Sequence, residues 1–408
     1  MKKYSMLTLF CYFISFCLSS TAWWNTGHEL TAQVAKNNLT PAALKIADKY
    51  LKIPITYPGN FQASKKTSTF IEASVWCDVI KKCDWKNKKN KKINSMFHHI
   101  NPLTFPGQAI SATNSEKSIK KLLDSKTDLG RYNCYTALQS SIKSLADKNS
   151  SLAEKAVAFR FILHLVGDIH MPLHNAAIII TPNCFSKPQD KLMLKNWLLK
   201  GHNKGKHING INTLGGGGII LDKSLFAPVL NSEQKPNKIN NLHGLWDSTV
   251  GLSKPLPHYY FPKKQHKNHN NHIASEAQNI LKNTKQNKSI KDRVEDAKII
   301  NWIIKSNMLA AEFTSPKKLE YFTNPKNPNT QVTVKFRNFK LYLKSAQKVC
   351  RKQIYVGGMR MAKLLNAIFD PKQADKNYFE CVKKIKADKT ILILSKLFPK
   401  PITFKVKN

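Results

Sequence analysis

At 408 residues the chain is long enough for one large domain or two smaller ones, and 66 lysines and arginines against 25 aspartates and glutamates leave a formal charge of +41. Such an excess attracts polyanions, through screened Coulomb attraction and release of counterions from nucleic acid. Lysine and asparagine are spread along the whole sequence, so much of the charge is ordinary solvated surface and does not by itself identify a nucleic-acid substrate. Beyond residues 1–22 no stretch is apolar enough to cross a bilayer as a helix.

Lys2 and Lys3, the apolar run Leu7 to Leu18 and the small residues Ser20-Thr21-Ala22 have the form of a signal peptide over residues 1–22. The run is short for a membrane span, and an uncleaved anchor is the alternative. Cleavage would make Trp23 the first residue of a secreted or periplasmic protein. Two of the eight cysteines, Cys11 and Cys17, lie in this segment; Cys77, Cys83, Cys134, Cys184, Cys350 and Cys381 remain. An even number in an exported chain suggests disulfides. Pairing Cys77 with Cys83 would close a short loop, and Cys350 with Cys381 would staple the C-terminal tail, but sequence does not determine connectivity.

Thr40-Pro41 is an N-cap and first-turn pair that opens an amphipathic helix through Leu51. Apolar residues recur at helical spacing from Leu152 to Ile169, stopping near Pro172, and again over Ser289 to Phe313 and Phe339 to Phe369. Alternating, strand-like runs are confined to Gln331 to Phe336 and Ile402 to Val406. The pattern predicts an all-α fold, a single mostly helical domain over residues 23–370. Residues 176–240, with the glycine run Gly215 to Gly218, read as an insertion, and 371–408 as a Lys-rich C-terminal tail. Lys254 to Asn271, rich in Pro, His and Lys, reads as a loop.

Histidine and aspartate carry the chemistry. His164 and Asp168 stand four apart on the helix that ends at Pro172, so both project from one face, and His174 follows just beyond it. His243 and Asp247 repeat the spacing. Imidazole and carboxylate are the usual zinc ligands outside thiolate sites. A single His-x-x-x-Asp pair is most often a solvated or hydrogen-bonded pair; two pairs with an adjacent third histidine are harder to dismiss. Asp78 and His98 add candidates that spacing alone would not select.

Trp23-Trp24-Asn25-Thr26-Gly27-His28 resembles the mature N-terminus, Trp-x-x-x-Gly-His, of the zinc-dependent single-strand-specific nuclease and 3'-nucleotidase family. Ala73-Ser74-Val75-Trp76-Cys77-Asp78 and His98-His99-Ile100-Asn101 are similar to its next two blocks. His164-Leu165-Val166-Gly167-Asp168-Ile169-His170-Met171-Pro172-Leu173-His174 is close to its most diagnostic motif, and Asn241-Leu242-His243-Gly244-Leu245-Trp246-Asp247 to the one after it. Gly357-Gly358-Met359-Arg360-Met361-Ala362 resembles the closing helix.

The resemblance implies an all-α fold with three zinc ions, shared more distantly with zinc phospholipase C. It implies one ion held by Asp78, His98, His164 and Asp168. A second would be held by the main-chain amine and carbonyl of Trp23 with His28 and Asp168, making Asp168 a bridge. A third would be held by His174, His243 and Asp247. His170 matches no ligand position and reads as packing or as support for the ligands. The implied reaction is hydrolysis of single-stranded DNA or RNA to 5'-phosphates and of 3'-nucleotides to nucleosides and phosphate, by hydroxide that two close cations supply. Lys81 stands where the family usually has a phosphoryl-binding arginine, keeping the charge but losing the planar fork. His99 stands at an aromatic position that can stack on a base, and Asn101 at a base-contacting position. The family's Gly-Gly-Asn element is reduced to the run at 215–218. These departures bear on substrate preference rather than on metal binding. A zinc phospholipase C acting on lipid phosphodiesters, which an anionic membrane surface would suit as well as nucleic acid, is the alternative. A binding protein with a decayed site is opposed by the intact ligand set. No protein partner is implied, and a monomer is expected.

Overall fold

The computed structural model describes residues 23, 25–56, 69–81, 87–107, 111–199, 210–213, 215–222, 239–249, 263–284, 288–324, 331–398 and 405–406. Helices dominate, as the periodicity predicts. Their ends follow local chemistry. Thr40 accepts a hydrogen bond from the N–H of Ala43 to start Pro41–Lys52, and Ser151 accepts from Glu154 to start Leu152–His170. Thr69 and Glu72 form a reciprocal capping box on Phe70–Ser74.

The helix Leu152–His170 is the axis of the molecule. From Ala153 to His170 every residue except Lys155 is buried, the polar Glu154, Arg160, His164, Asp168 and His170 included. It packs against Asn25–Lys36, Phe70–Ser74, Cys134–Ala146, Ile299–Phe313 and Phe339–Phe369. One apolar cluster gathers Phe159, Phe161, Trp76 and Trp302; a second gathers Trp23, Trp246, Phe313 and Tyr321.

The sheets are small. Leu103–Thr104 pairs parallel with Ala177–Ile180, which pairs antiparallel with Ile211–Asn212. Ile219–Leu221 pairs parallel with Val332–Phe336, itself antiparallel to Leu319–Thr323. Of the stretch 176–240 read as inserted, Ala177–Ile180 and Ile219–Leu221 are thus strands of the core. The C-terminal segment is built in as well. Tyr378, Val382, Ile385, Leu394 and Phe398 are buried in the first cluster, and Lys405–Val406 pairs with Ile55–Thr56.

Three expectations are corrected. The stretch read as a loop up to Asn271 is helical from residue 263, within Lys263–Thr284; Ile273, Ala277 and Ile280, all buried, anchor that helix on the second cluster. The helix expected from Ser289 to Phe313 is broken between Glu295 and Ile299. Side chains claim the carbonyls there: Trp302 Nε1 donates to Asp296, Tyr378 to Val294, and Arg360 to Arg293. Cys350 and Cys381 are both free thiols. Cys350 packs in the second cluster while Cys381 packs against the first, so the two face different cores. Cys77 is a buried free thiol that donates to the Arg160 carbonyl, and Cys83 lies outside the described residues.

Candidate metal centre

Four segments bring their polar residues to one place inside the protein. His28 comes from Asn25–Lys36, Asp78 from Trp76–Lys81, and His98 from the turn after Lys88–Met96. His164 and Asp168 come from the axial helix. Asp168 is fully buried and stands at the middle. Its Oδ1 lies 3.4 Å from His28 Nε2 and 3.2 Å from His174 Nδ1. Its Oδ2 lies 3.1 Å from His98 Nδ1 and 3.2 Å from His164 Nε2. Asp78 Oδ1 is 3.7 Å from His98 Nδ1 and 3.8 Å from His164 Nε2.

A further group adjoins this one. His174, on the turn that follows the axial helix, stacks on His243 with ring centroids 5.0 Å apart. Asp247 lies 3.5 Å from His174 Nε2 and 3.3 Å from His243 Nε2. Three sets of buried side chains could each hold an ion: His28, His164 and Asp168; Asp78, His98 and His164; and His174, His243 and Asp247. Trp23, the remaining candidate, is buried with its indole against Gly27, one residue before His28.

The donor set fits metal ions by its own chemistry. The Nδ1 atoms of His164, His174 and His243 lie 2.7, 2.8 and 2.8 Å from the carbonyls of Ser74, His98 and Gly215. A carbonyl only accepts, so each Nδ1 carries the proton and each Nε2 offers a lone pair, the arrangement that orients metal-binding histidines. Buried polar atoms here lack hydrogen-bond partners: both ring nitrogens of His28, Asp168 Oδ1, Asp247 Oδ1 and Nε2 of His98, His174 and His243. Orphans on this scale are costly without a cation to receive them.

The electrostatics of the metal-free group follow from the same contacts. Burial alone would raise the Asp168 carboxyl, but His164 and His174 hold it well below the usual carboxylate range. Burial, opposed by Lys81 and His164, leaves Asp78 low as well. Burial, then its neighbour His164, lowers His28; burial and Lys81 lower His98 further. Against burial, Asp168 and Asp78 raise His164, and Asp168 and Asp247 push His174 up to about 10.

Lys81 lies 2.7 Å from Asp78 Oδ1 and is largely buried, so its charge is directed at the centre. His99 is pressed down to about 3 by burial and by the nearby His174, Lys81 and His243; Asn101 is half-buried. Glycines also shape the site. A methyl on Gly167 would meet His28 at 2.6 Å, and Gly215, at φ +67°, lets its carbonyl reach His243. The positive φ of Gly215 could have been suspected from the glycine run alone.

Fold and site together define a mostly helical protein with adjoining His/Asp groups suited to metal ions around one shared carboxylate. A model of the S1/P1 nuclease family matches residues 23–192 and 228–370, and the chain belongs to that family. Nuclease S1 of Aspergillus oryzae is 22% identical over 153 residues, which cover 38% of this chain and 44% of that protein. The aligned stretch is thus under half the length of that relative. Gly215 falls in the segment the family model leaves unmatched, although its carbonyl serves His243.

Proposed function

We propose that the protein is a zinc-dependent phosphodiesterase and phosphomonoesterase that cleaves single-stranded nucleic acid to 5'-phosphates and 3'-nucleotides to nucleosides and phosphate. The observation that carries this reading is the buried Asp168 carboxylate within 3.4 Å of His28, His98, His164 and His174. Asp78, His98, His164 and Asp168 would hold one zinc, Trp23, His28 and Asp168 a second, and His174, His243 and Asp247 a third. Bound zinc supplies acidified water as nucleophile and neutralises charge on phosphate oxygens. Lys81 adds a cation that can pair with a phosphoryl oxygen in place of Asp78, while His99 and Asn101, which follow the ligand His98 in the chain, would orient a base. Preference for single strands follows because a base must leave its stack to enter a pocket.

Residues 1–22, outside the described region, are proposed to be a signal peptide, and removing them frees the amine of Trp23 for ligation. The excess charge suits a polyanionic substrate. The deciding experiment offers zinc-loaded protein single-stranded DNA, 3'-AMP and phosphatidylcholine side by side. Turnover of the first two is expected. Turnover of phosphatidylcholine alone would replace the nuclease reading with a phospholipase C, and turnover of none would leave a binding protein.

A further inference from the structure

His170 belongs to the same motif as His164, Asp168 and His174, yet its ring cannot serve a metal ion. Nδ1 lies 2.7 Å from the Val166 carbonyl and Nε2 lies 2.9 Å from Arg360 Nη1. A carbonyl only accepts and a guanidinium only donates, so the proton sits on Nδ1 and Arg360 takes the Nε2 lone pair. Both nitrogens are committed and the ring is locked.

The surroundings of this ring hold the end of the axial helix, where the last carbonyls have no helical donor. Ser306 Oγ donates to the Ile169 carbonyl at 2.6 Å, and Gln353 Nε2 to the His170 carbonyl at 2.7 Å. Gln353, Gly357 and Arg360 recur at helical spacing on Phe339–Phe369. A methyl on Gly357 would stand 3.1 Å from His170 Cγ, so the glycine gives the ring its room. Arg360 is 1% exposed and forms no ion pair among the described residues. Its Nε and Nη2 donate to the Arg293 carbonyl, and its guanidinium lies 4.9 Å over the Trp302 ring. A buried guanidinium with no carboxylate in direct contact is costly. A helix C-terminus does favour a cation, and here the cation reaches that helix end through His170.

We propose that His170 and Arg360 are a positioning pair that fixes the last turn of the axial helix, and with it the orientation of the Asp168 carboxylate. Asp168 lies between Val166 and His170, inside the turn that the His170 Nδ1 bond closes. Its two oxygens face different imidazoles, His28 and His174 on one side and His98 and His164 on the other. Rotation of that turn moves both oxygens off their partners together. Partners behind a metal ligand change affinity by about ten- to a hundredfold when removed.

The inference rests on the metal reading above, and the test separates the two. Zinc affinity is measured by competition with a chromophoric chelator, and thermal unfolding is followed on metal-free protein. Samples are the processed full chain, Arg360→Lys, and the double variant His170→Phe/Arg360→Met. The double variant keeps an aromatic ring at 170 and a long side chain at 360, and removes both polar partners at once, leaving no orphaned charge. The expected result is metal-free unfolding close to wild type with zinc affinity lowered about ten- to a hundredfold, and an intermediate loss in Arg360→Lys. Wild-type affinity in a folded double variant would reduce the pair to packing and overturn the proposal. Should the double variant fail to fold, wild-type affinity in Arg360→Lys overturns it equally. Absence of zinc binding by the wild type, seen before any variant is compared, would sink the metal reading and this proposal with it.

Discussion

A methyl group on Gly167 would stand 2.6 Å from Nδ1 of His28, so the imidazole of one helix occupies the space left by a missing side chain on another. Gly167→Ala should therefore push the His28 ring off Asp168. Overpacking of this kind costs about 1–3 kcal/mol. Elemental analysis is expected to show reduced zinc, while the His174, His243 and Asp247 group still loads. Full zinc content in this variant would show that the ring has another way to reach Asp168.

Asp168 and His243 differ in how many groups depend on them. Asp168 contacts imidazoles of both adjoining sets, whereas His243 lies against His174 and Asp247 and donates to the Gly215 carbonyl. Asp168→Asn should strip more zinc than His243→Ala and lower turnover further. Equal zinc loss in the two variants would mean that Asp168 is not shared.

Lys81 approaches the centre through Asp78. Lys81→Ala is expected to lower kcat by about ten- to a thousandfold, the scale of losing one charged contact to a developing anion. Lys81→Arg should keep or improve activity, since the guanidinium retains the charge and adds a fork. Unchanged steady-state kinetics for the alanine variant would confine Lys81 to its pairing with Asp78.

His174 sets a pH dependence whose sign can be worked out. Against burial, Asp168 and Asp247 raise it to about 10, above an unfolded value of about 6.5. In metal-free protein its contribution to stability is fully present below about 6.5 and is lost as pH rises through about 10. Thermal unfolding of chelator-treated wild type and His174→Gln should therefore converge as pH climbs toward 10. Zinc must displace this proton at neutral pH, so zinc binding should release protons and weaken as pH falls. Calorimetry in two buffers of different ionisation enthalpy measures that release, and identical heats in both would contradict it.

Local signals were legible in the chain itself. The four-residue spacing of His164 and Asp168 places both on one face because a helix turns every 3.6 residues, and the cap at Thr40 and the stop at Pro172 need only nearest neighbours. Other features depended on contacts between distant segments. The helix starting at Lys263 reads as a loop locally, and burial of Ile273, Ala277 and Ile280 overrides that reading. The break before Ile299 exists because Trp302, Tyr378 and Arg360 take the carbonyls that would have continued the helix. Cys350 and Cys381 belong to different cores, which no spacing reveals. Residue type and order nominated Asp78, His98 and His243, but only packing brought them within reach of His164 and His174. Packing also turned each Nε2 inward by tying Nδ1 to a carbonyl from another segment, and it gave His170 to Arg360 instead of to the centre, because a side chain's partner is set by what the fold places beside it.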